Sequence, residues 1–258
     1  MARRPQIAVI NESSVVNPGD VPAVVEALQT QVNDHFMPAW GSGAHLIAVP
    51  QGASPPPGTW WLVILDDSDQ AGALGYHDLT SAGLPLGKVF ARTDLQYNAE
   101  WTVTVSHELL EMLGDPDINL SVQIGSQEFV AYEDCDAVEA DQFAYSIDGV
   151  LVSDFVTPAW FMPGYPGPYD HGGHCPKPLT LLQGGYIGVW RPGGGWTQVS
   201  ARSDHADLHT TIRTLDHAYE EEQPFSARPR LGSRRERRRT SRRYWQRSVA
   251  HAGEQSSS

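Results

Sequence analysis

The chain has 258 residues, enough for one sizeable core, and 40% of them are hydrophobic. Its net charge of −13 hides two unlike parts: residues 1–223 carry 8 Lys+Arg against 29 Asp+Glu, whereas residues 224–258 carry 10 Arg against 2 Glu. An acidic body argues against nucleic-acid binding by the main domain, and no run of about twenty apolar residues is available to span a membrane.

MARRPQIAVIN opens with two arginines but only a short apolar run, which suits a first strand over 6–11 better than a secretory leader. The cytoplasm is therefore the default location, with export by a non-standard route left open. After the turn at Pro18-Gly19-Asp20, the residues Val24, Val25, Leu28, Val32 and Phe36 recur at helical spacing. HLIAVP (45–50) and WWLVILDD (60–67) read as strands, separated by a proline-rich loop. The glycine-interrupted segment ALGYHDLTSAGLPLGKVFAR follows, and its last part, PLGKVFAR, reads as a strand. A helix is expected from about Glu100 to Gly114. Strands are expected within 127–135 and 143–161, a glycine-turned hairpin over 185–201, and a terminal helix over 205–223. The fold class is α+β, with residues 1–223 as one domain and a loop-rich second half. Residues 224–258 lack a hydrophobic pattern and are expected to be a mobile tail, one that could contact an anionic surface or nucleic acid. Cys135 and Cys175 allow one disulfide at most and read as two thiols.

The chemistry concentrates in VSHELLEMLGDP (105–116). With about 100° per residue and His107 at zero, Glu111 falls at roughly 40°, Thr104 at roughly 60° and Glu108 at roughly 100°. Trp101, Val105, Leu109, Met112 and Leu113 occupy the opposite side, an apolar face able to pack on a sheet. Two ligands one turn apart with a glutamate beside them is the geometry of the HExxH zinc motif, here with Glu111 in place of the second histidine. A carboxylate oxygen binds Zn²⁺ at ~2.0–2.2 Å, much as an imidazole nitrogen does at ~2.0–2.1 Å. The exchange adds a negative charge and weakens the Lewis acid. Gly114-Asp115-Pro116 stops the helix one turn later.

A third ligand is expected in VAYEDCDAVEADQF (130–143). Glu133 and Asp136 are the candidates, with Cys135 a further possibility. On a strand Glu133 and Asp136 would face opposite ways, whereas a helical start would bring them together.

SHELLEMLGDP (106–116), YEDCDAVE (132–139) and SDFVTPAWF (153–161) together resemble zincin-like metallopeptidases, in particular bacterial and fungal proteins that carry HExxE followed by a Gly-Asp-Pro-like stop. The resemblance runs from the first strand to about residue 200 and does not cover the tail. It implies a twisted mixed sheet over an active-site helix, with region 86–92 as the edge strand that binds substrate backbone. It also implies Glu108 as general base, a bound Zn²⁺, and a peptide or protein substrate.

Tyrosines and histidines supply candidates for an oxyanion donor or active-site rim: Tyr132, Tyr145, Tyr165, Tyr169, His171 and His174. The loop GYPGPYDHGGHCPKP (164–178) also offers Asp170, His171, His174 and Cys175 as a second ligand group. ILDDSD (64–69) reads as a solvated acidic turn rather than a calcium site. Gly193-Gly194-Gly195 lacks the residues of a phosphate loop, and no GxSxG nucleophile elbow occurs. The expectation is a zinc-dependent peptidase, with a non-catalytic zincin-fold binding or structural protein as the alternative.

Overall fold

Three apolar segments, β1 (Gln6–Asn11), β2 (His45–Val49) and β3 (Trp60–Leu65), run parallel with β1 in the middle. Parallel neighbours need a crossover, and α1 (Val21–Thr30) provides it between β1 and β2. The helical run continues through a π turn at Gln31–Phe36 into α2 (Met37–Trp40), which ends at the left-handed Gly41. These elements belong to a computed structural model that describes residues 4–70, 72–201, 205–207 and 233–236.

The segment after β3 departs from expectation. Ala73–Leu79 forms a full strand, β4, paired antiparallel with β5 (Pro85–Phe90), which in turn lies parallel to β3. Its polar and glycine residues (ALGYHDL) hide the strand from a hydrophobicity pattern, because one face packs against functional groups rather than oil. Region 86–92 is therefore not an edge: β5 is paired on both sides, and residue 91 already begins α3 (Ala91–Gln96).

The helix α4 (Trp101–Gly114) packs against this sheet, and every residue from Val103 to Leu113 is buried. Its Val105, Leu109 and Met112 join Leu28, Leu62, Ile64 and Val89 in the main apolar cluster. Full burial of each such side chain stabilises by about 1.5–3 kcal/mol. The Asp141 carboxylate accepts from the Glu100 N–H at 2.8 Å at the helix start. At the other end, buried Asp115 accepts from the N–H groups of Asn119 and Leu120, fixing the turn that Pro116 forces.

The second half is built from short pieces: β6 (Ser121–Gln123), β7 (Phe129–Ala131), the hairpin β8 (Tyr145–Ile147) and β9 (Val150–Val152), then β10 (Thr180–Leu182). β11 (Tyr186–Arg191) and β12 (Gly195–Ser200) form the expected hairpin and pair through β7 to β6. The strands expected over 127–135 and 143–161 shrink to these three-residue pieces, with irregular backbone between them that serves the site. A second apolar cluster forms around Trp160, Phe161, Leu181 and Ile187, and Trp40 packs on both clusters.

His205–Asp207, expected to open a terminal helix, is instead a strand, β13, antiparallel to β10. Of the arginine-rich tail, Ser233–Glu236 is a strand, β14, lying parallel to β4 at the end of a six-stranded sheet of order β14-β4-β5-β3-β1-β2. The rest of the 205–223 helix and of the 224–258 tail lies outside the described residues. Among the described residues, no helix is long and apolar enough to cross a membrane.

Candidate metal centre

His107, Glu108 and Glu111 lie on the side of α4 that the helical projection assigned them, and all three are completely buried. The His107 Nε2 atom is 3.1 Å from Glu111 Oε1 and 3.4 Å from Asp136 Oδ1. The chain carries Asp136 there by an irregular turn: residues 133–135 are neither strand nor helix, and a 3₁₀ turn covers Asp136–Val138. That turn brings Glu133 and Asp136 to the same cluster, the outcome expected of a helical start. The backbone bond from Val156 N–H to Asp134 O, 2.7 Å, anchors it.

Sequence reasoning missed one member. His77, on β4 and 1% exposed, points its ring at the same carboxylates. Its Nδ1 lies 3.2 Å from Glu111 Oε2 and 3.7 Å from Glu108 Oε2, while its Nε2 lies 3.6 Å from Glu133 Oε2. The signal was a histidine in an otherwise weak strand just upstream of the helix, visible only once 73–79 is recognised as a strand. Two groups of three thus offer ligand atoms close enough to share an ion: His107, Glu111, Asp136 and His77, Glu111, Glu133.

Two observations make this a fit for a divalent ion rather than a set of hydrogen-bonded ion pairs. Both ring nitrogens of His77 and both carboxylate oxygens of Glu111 and Asp136 are buried without a hydrogen bond of acceptable geometry, a costly state unless something else satisfies them. The separations of 3.1–3.6 Å within the two groups also exceed the ~2.7–2.9 Å of a charge-assisted hydrogen bond. Around His107 Nε2 the values of 3.1 and 3.4 Å lie close to the roughly 3.3–3.6 Å between ligand atoms that each lie ~2.0–2.2 Å from a tetrahedral centre.

Electrostatics agree. Burial and the Glu133 carboxylate push the Glu111 carboxyl up to about 7, against the pull of His77. Burial and Glu111 hold Asp136 well above the usual carboxylate range, and the same two causes raise Asp134. For His77 burial alone would favour the neutral ring, but Glu133, Glu108 and Glu111 together raise it well above its ordinary value. Without a metal, this cluster holds protons where a cation would otherwise sit.

Two glycines let the sheet approach the helix here. A Cβ at Gly75 would come within 2.5 Å of Glu108 Oε1 and 2.8 Å of Thr104 Cγ2, and one at Gly87 within 2.8 Å of Met112 Sδ. Replacing Gly75 with Ala is accordingly expected to push the Glu108 carboxylate aside. Metal content should stay unchanged while any hydrolytic rate falls about 10–100-fold, since misplacing a catalytic group by an ångström costs of that order. A variant as active as wild type would show that Glu108 needs no such space.

The remaining candidates lie beside the cluster or away from it. Cys135 is buried and donates its thiol to Asp134 at 3.2 Å, and both cysteines are free. Tyr132 packs on Trp40 and Phe161. The Tyr145 hydroxyl meets Gln31 and His35, Tyr169 donates to Tyr165 O, and Tyr165 is exposed. His171 stacks between His35 and Phe155. His174 meets Asp154 and Asp170 at 3.2 and 3.3 Å, a third possible ligand group. Its carboxylates already accept the backbone N–H groups of Phe155, Gly172, His174 and Cys175, so the loop they brace accounts for them. Tyr186 feels the cluster's carboxylates: burial, Asp136, Glu139 and Glu111 raise its phenol. Asp66, Asp67 and Asp69 at the end of β3 pair with Arg92 and Lys88, as an acidic surface turn would.

No family model, curated protein or solved structure matches this chain. What stands is an α+β protein with a buried His/Glu/Asp cluster, of metal-ligand geometry, between one helix and a mixed sheet.

Proposed function

We propose that the protein is a zinc-dependent hydrolase of peptide bonds with a zincin-like fold. The observation that carries this reading is the set His107, Glu111 and Asp136 at tetrahedral ligand spacing, with Glu108 on the same helix beside it. In this reading His107, Glu111 and Asp136 hold the ion. A bound Zn²⁺ supplies Lewis acidity, polarising a scissile carbonyl and making water easier to deprotonate. Glu108 takes the proton from that water and passes it to the leaving amine. The mixed sheet covering α4 keeps the site dry, which strengthens these charge interactions. The phenol of Tyr186 is the donor we assign to the developing oxyanion.

One observation favours a second reading. His107, Glu108, Glu111 and Asp136 are all 0% exposed, so a peptide carbonyl reaches them only if the molecule opens. A protein that holds a metal for structural or binding purposes needs no such opening. Both readings require a metal, and elemental analysis of the purified protein tests that first. The expectation is bound zinc that is lost in the Glu111→Ala variant, and a wild type without metal after growth in zinc-supplied medium would end both readings. A broad peptide library then separates them: cleavage that a chelator abolishes supports the hydrolase, and metal without cleavage supports the binding protein.

A further inference from the structure

The two ligand groups share one residue, Glu111, and they share it unequally by atom. Oε1 faces His107 at 3.1 Å, and Oε2 faces His77 at 3.2 Å. The histidines come from different elements, α4 and β4, and each has its own second carboxylate. His107 turns one atom, Nε2, to both partners, with Asp136 at 3.4 Å, whereas His77 turns Nδ1 to Glu111 and Nε2 to Glu133 at 3.6 Å. One ligand atom from each of His77, Glu111 and Glu133 still lies within 4.8 Å of the others. A carboxylate serving one ion would direct its oxygens to one group of ligands. Here the oxygens diverge to two groups, the arrangement of a carboxylate that bridges two metal ions, typically ~3.5–4 Å apart in two-metal hydrolytic sites.

From this geometry we infer that the centre is binuclear: one divalent cation on His107, Glu111 and Asp136, a second on His77, Glu111 and Glu133, with Glu111 bridging. Charge supports it. Glu108, Glu111, Glu133, Asp134 and Asp136 are five buried carboxylates, more negative charge than one divalent ion offsets. Burial of uncompensated charge is the more expensive state. The donor set of imidazole nitrogen and carboxylate oxygen in each half suits Zn²⁺ and equally Mn²⁺. The bridging role also gives Glu111 a physical reason to stand where HExxH has histidine. An imidazole offers one nitrogen to each side of a rigid ring, whereas a carboxylate reaches two adjacent ions at once.

This inference rests on the metal reading above, and one experiment distinguishes failure of either. Metal-free full-length protein is titrated with Zn²⁺ by calorimetry and, separately, loaded with Mn²⁺ for electron paramagnetic resonance. Two equivalents per chain and a spin-coupled Mn²⁺ spectrum are expected. His77→Gln and Asp136→Asn should each fall to one equivalent with an uncoupled spectrum, their folding checked by circular dichroism. One equivalent in the wild type with an isolated-ion spectrum overturns the binuclear centre and leaves the hydrolase proposal standing. No equivalents overturns both. Should either variant fail to fold, the wild-type stoichiometry and spin coupling decide alone.

Discussion

Replacing Glu108 with Gln is expected to lower peptide hydrolysis by about 10²–10⁴-fold while leaving metal content and fold in place. Glutamine keeps the shape of glutamate, so the side chain still fills the space that Gly75 leaves open beside it. What it loses is the ability to accept a proton. An alanine at the same position would be less informative. Glu108 is 0% exposed, and truncation would leave a cavity whose relaxation could move the neighbouring ligands. The measurement is kcat/KM on whichever library peptide the wild type cleaves fastest, beside elemental analysis of both proteins. Equal loss in kcat and kcat/KM would mark a group acting in the transition state. A variant that keeps both its metal and its rate would remove Glu108 as the base and, with it, the strongest link to the HExxH mechanism.

How far the sequence reached depended on whether a signal was local. The helix at 101–114 was legible because its apolar face and polar cluster recur within one element, and the projection of His107, Glu108 and Glu111 onto one side needs only helical geometry. β1 was legible because a strand buried on both faces reads as an apolar run, and the half-buried β2 and β3 because each is a short apolar run bounded by turn residues. β4 was not. Gly75 and His77 face α4, so this strand spends inward-pointing positions on a close approach and a charged cluster rather than on apolar packing. Missing β4 hid His77, and with it the second ligand group. The choice between Glu133 and Asp136 was also beyond sequence, because it turns on an irregular backbone set by the distant contact of Asp134 O with Val156. In the structure the two are not rivals: each has its own histidine. Tyr186 was not among the tyrosines singled out, since it lies on the β11–β12 hairpin, far from α4 in sequence.

On the proposed metal reading, removing the ion is expected to destabilise the protein strongly at pH 8 and little at pH 5, and the sign follows from the buried groups. In the metal-free protein Glu111 has its carboxyl raised to about 7 from an ordinary 4.5. Between those values the folded state holds a proton that the unfolded state has released, so stability falls as pH rises through that window. Asp134 and Asp136, raised by burial and Glu111, act in the same direction. His77, raised well above 6.5 by Glu133, Glu108 and Glu111, contributes stability that is present below that value and lost as pH rises through its folded-state value. All four groups therefore push the metal-free protein toward unfolding at alkaline pH. With metal bound the ligands are already deprotonated, and the cation stands in for the missing protons. Metal affinity then rises with pH, because binding no longer has to displace them. Leaving charges buried without partners costs about 3–5 kcal/mol, which at about 2–4 °C per kcal/mol for a domain of this size lowers Tm by about 6–20 °C at pH 8. Thermal melts of metal-loaded and chelator-treated protein from pH 5 to pH 8 measure the gap directly. A gap that stays constant, or closes as pH rises, would mean that the cluster is held by its own hydrogen bonds and that no cation completes it.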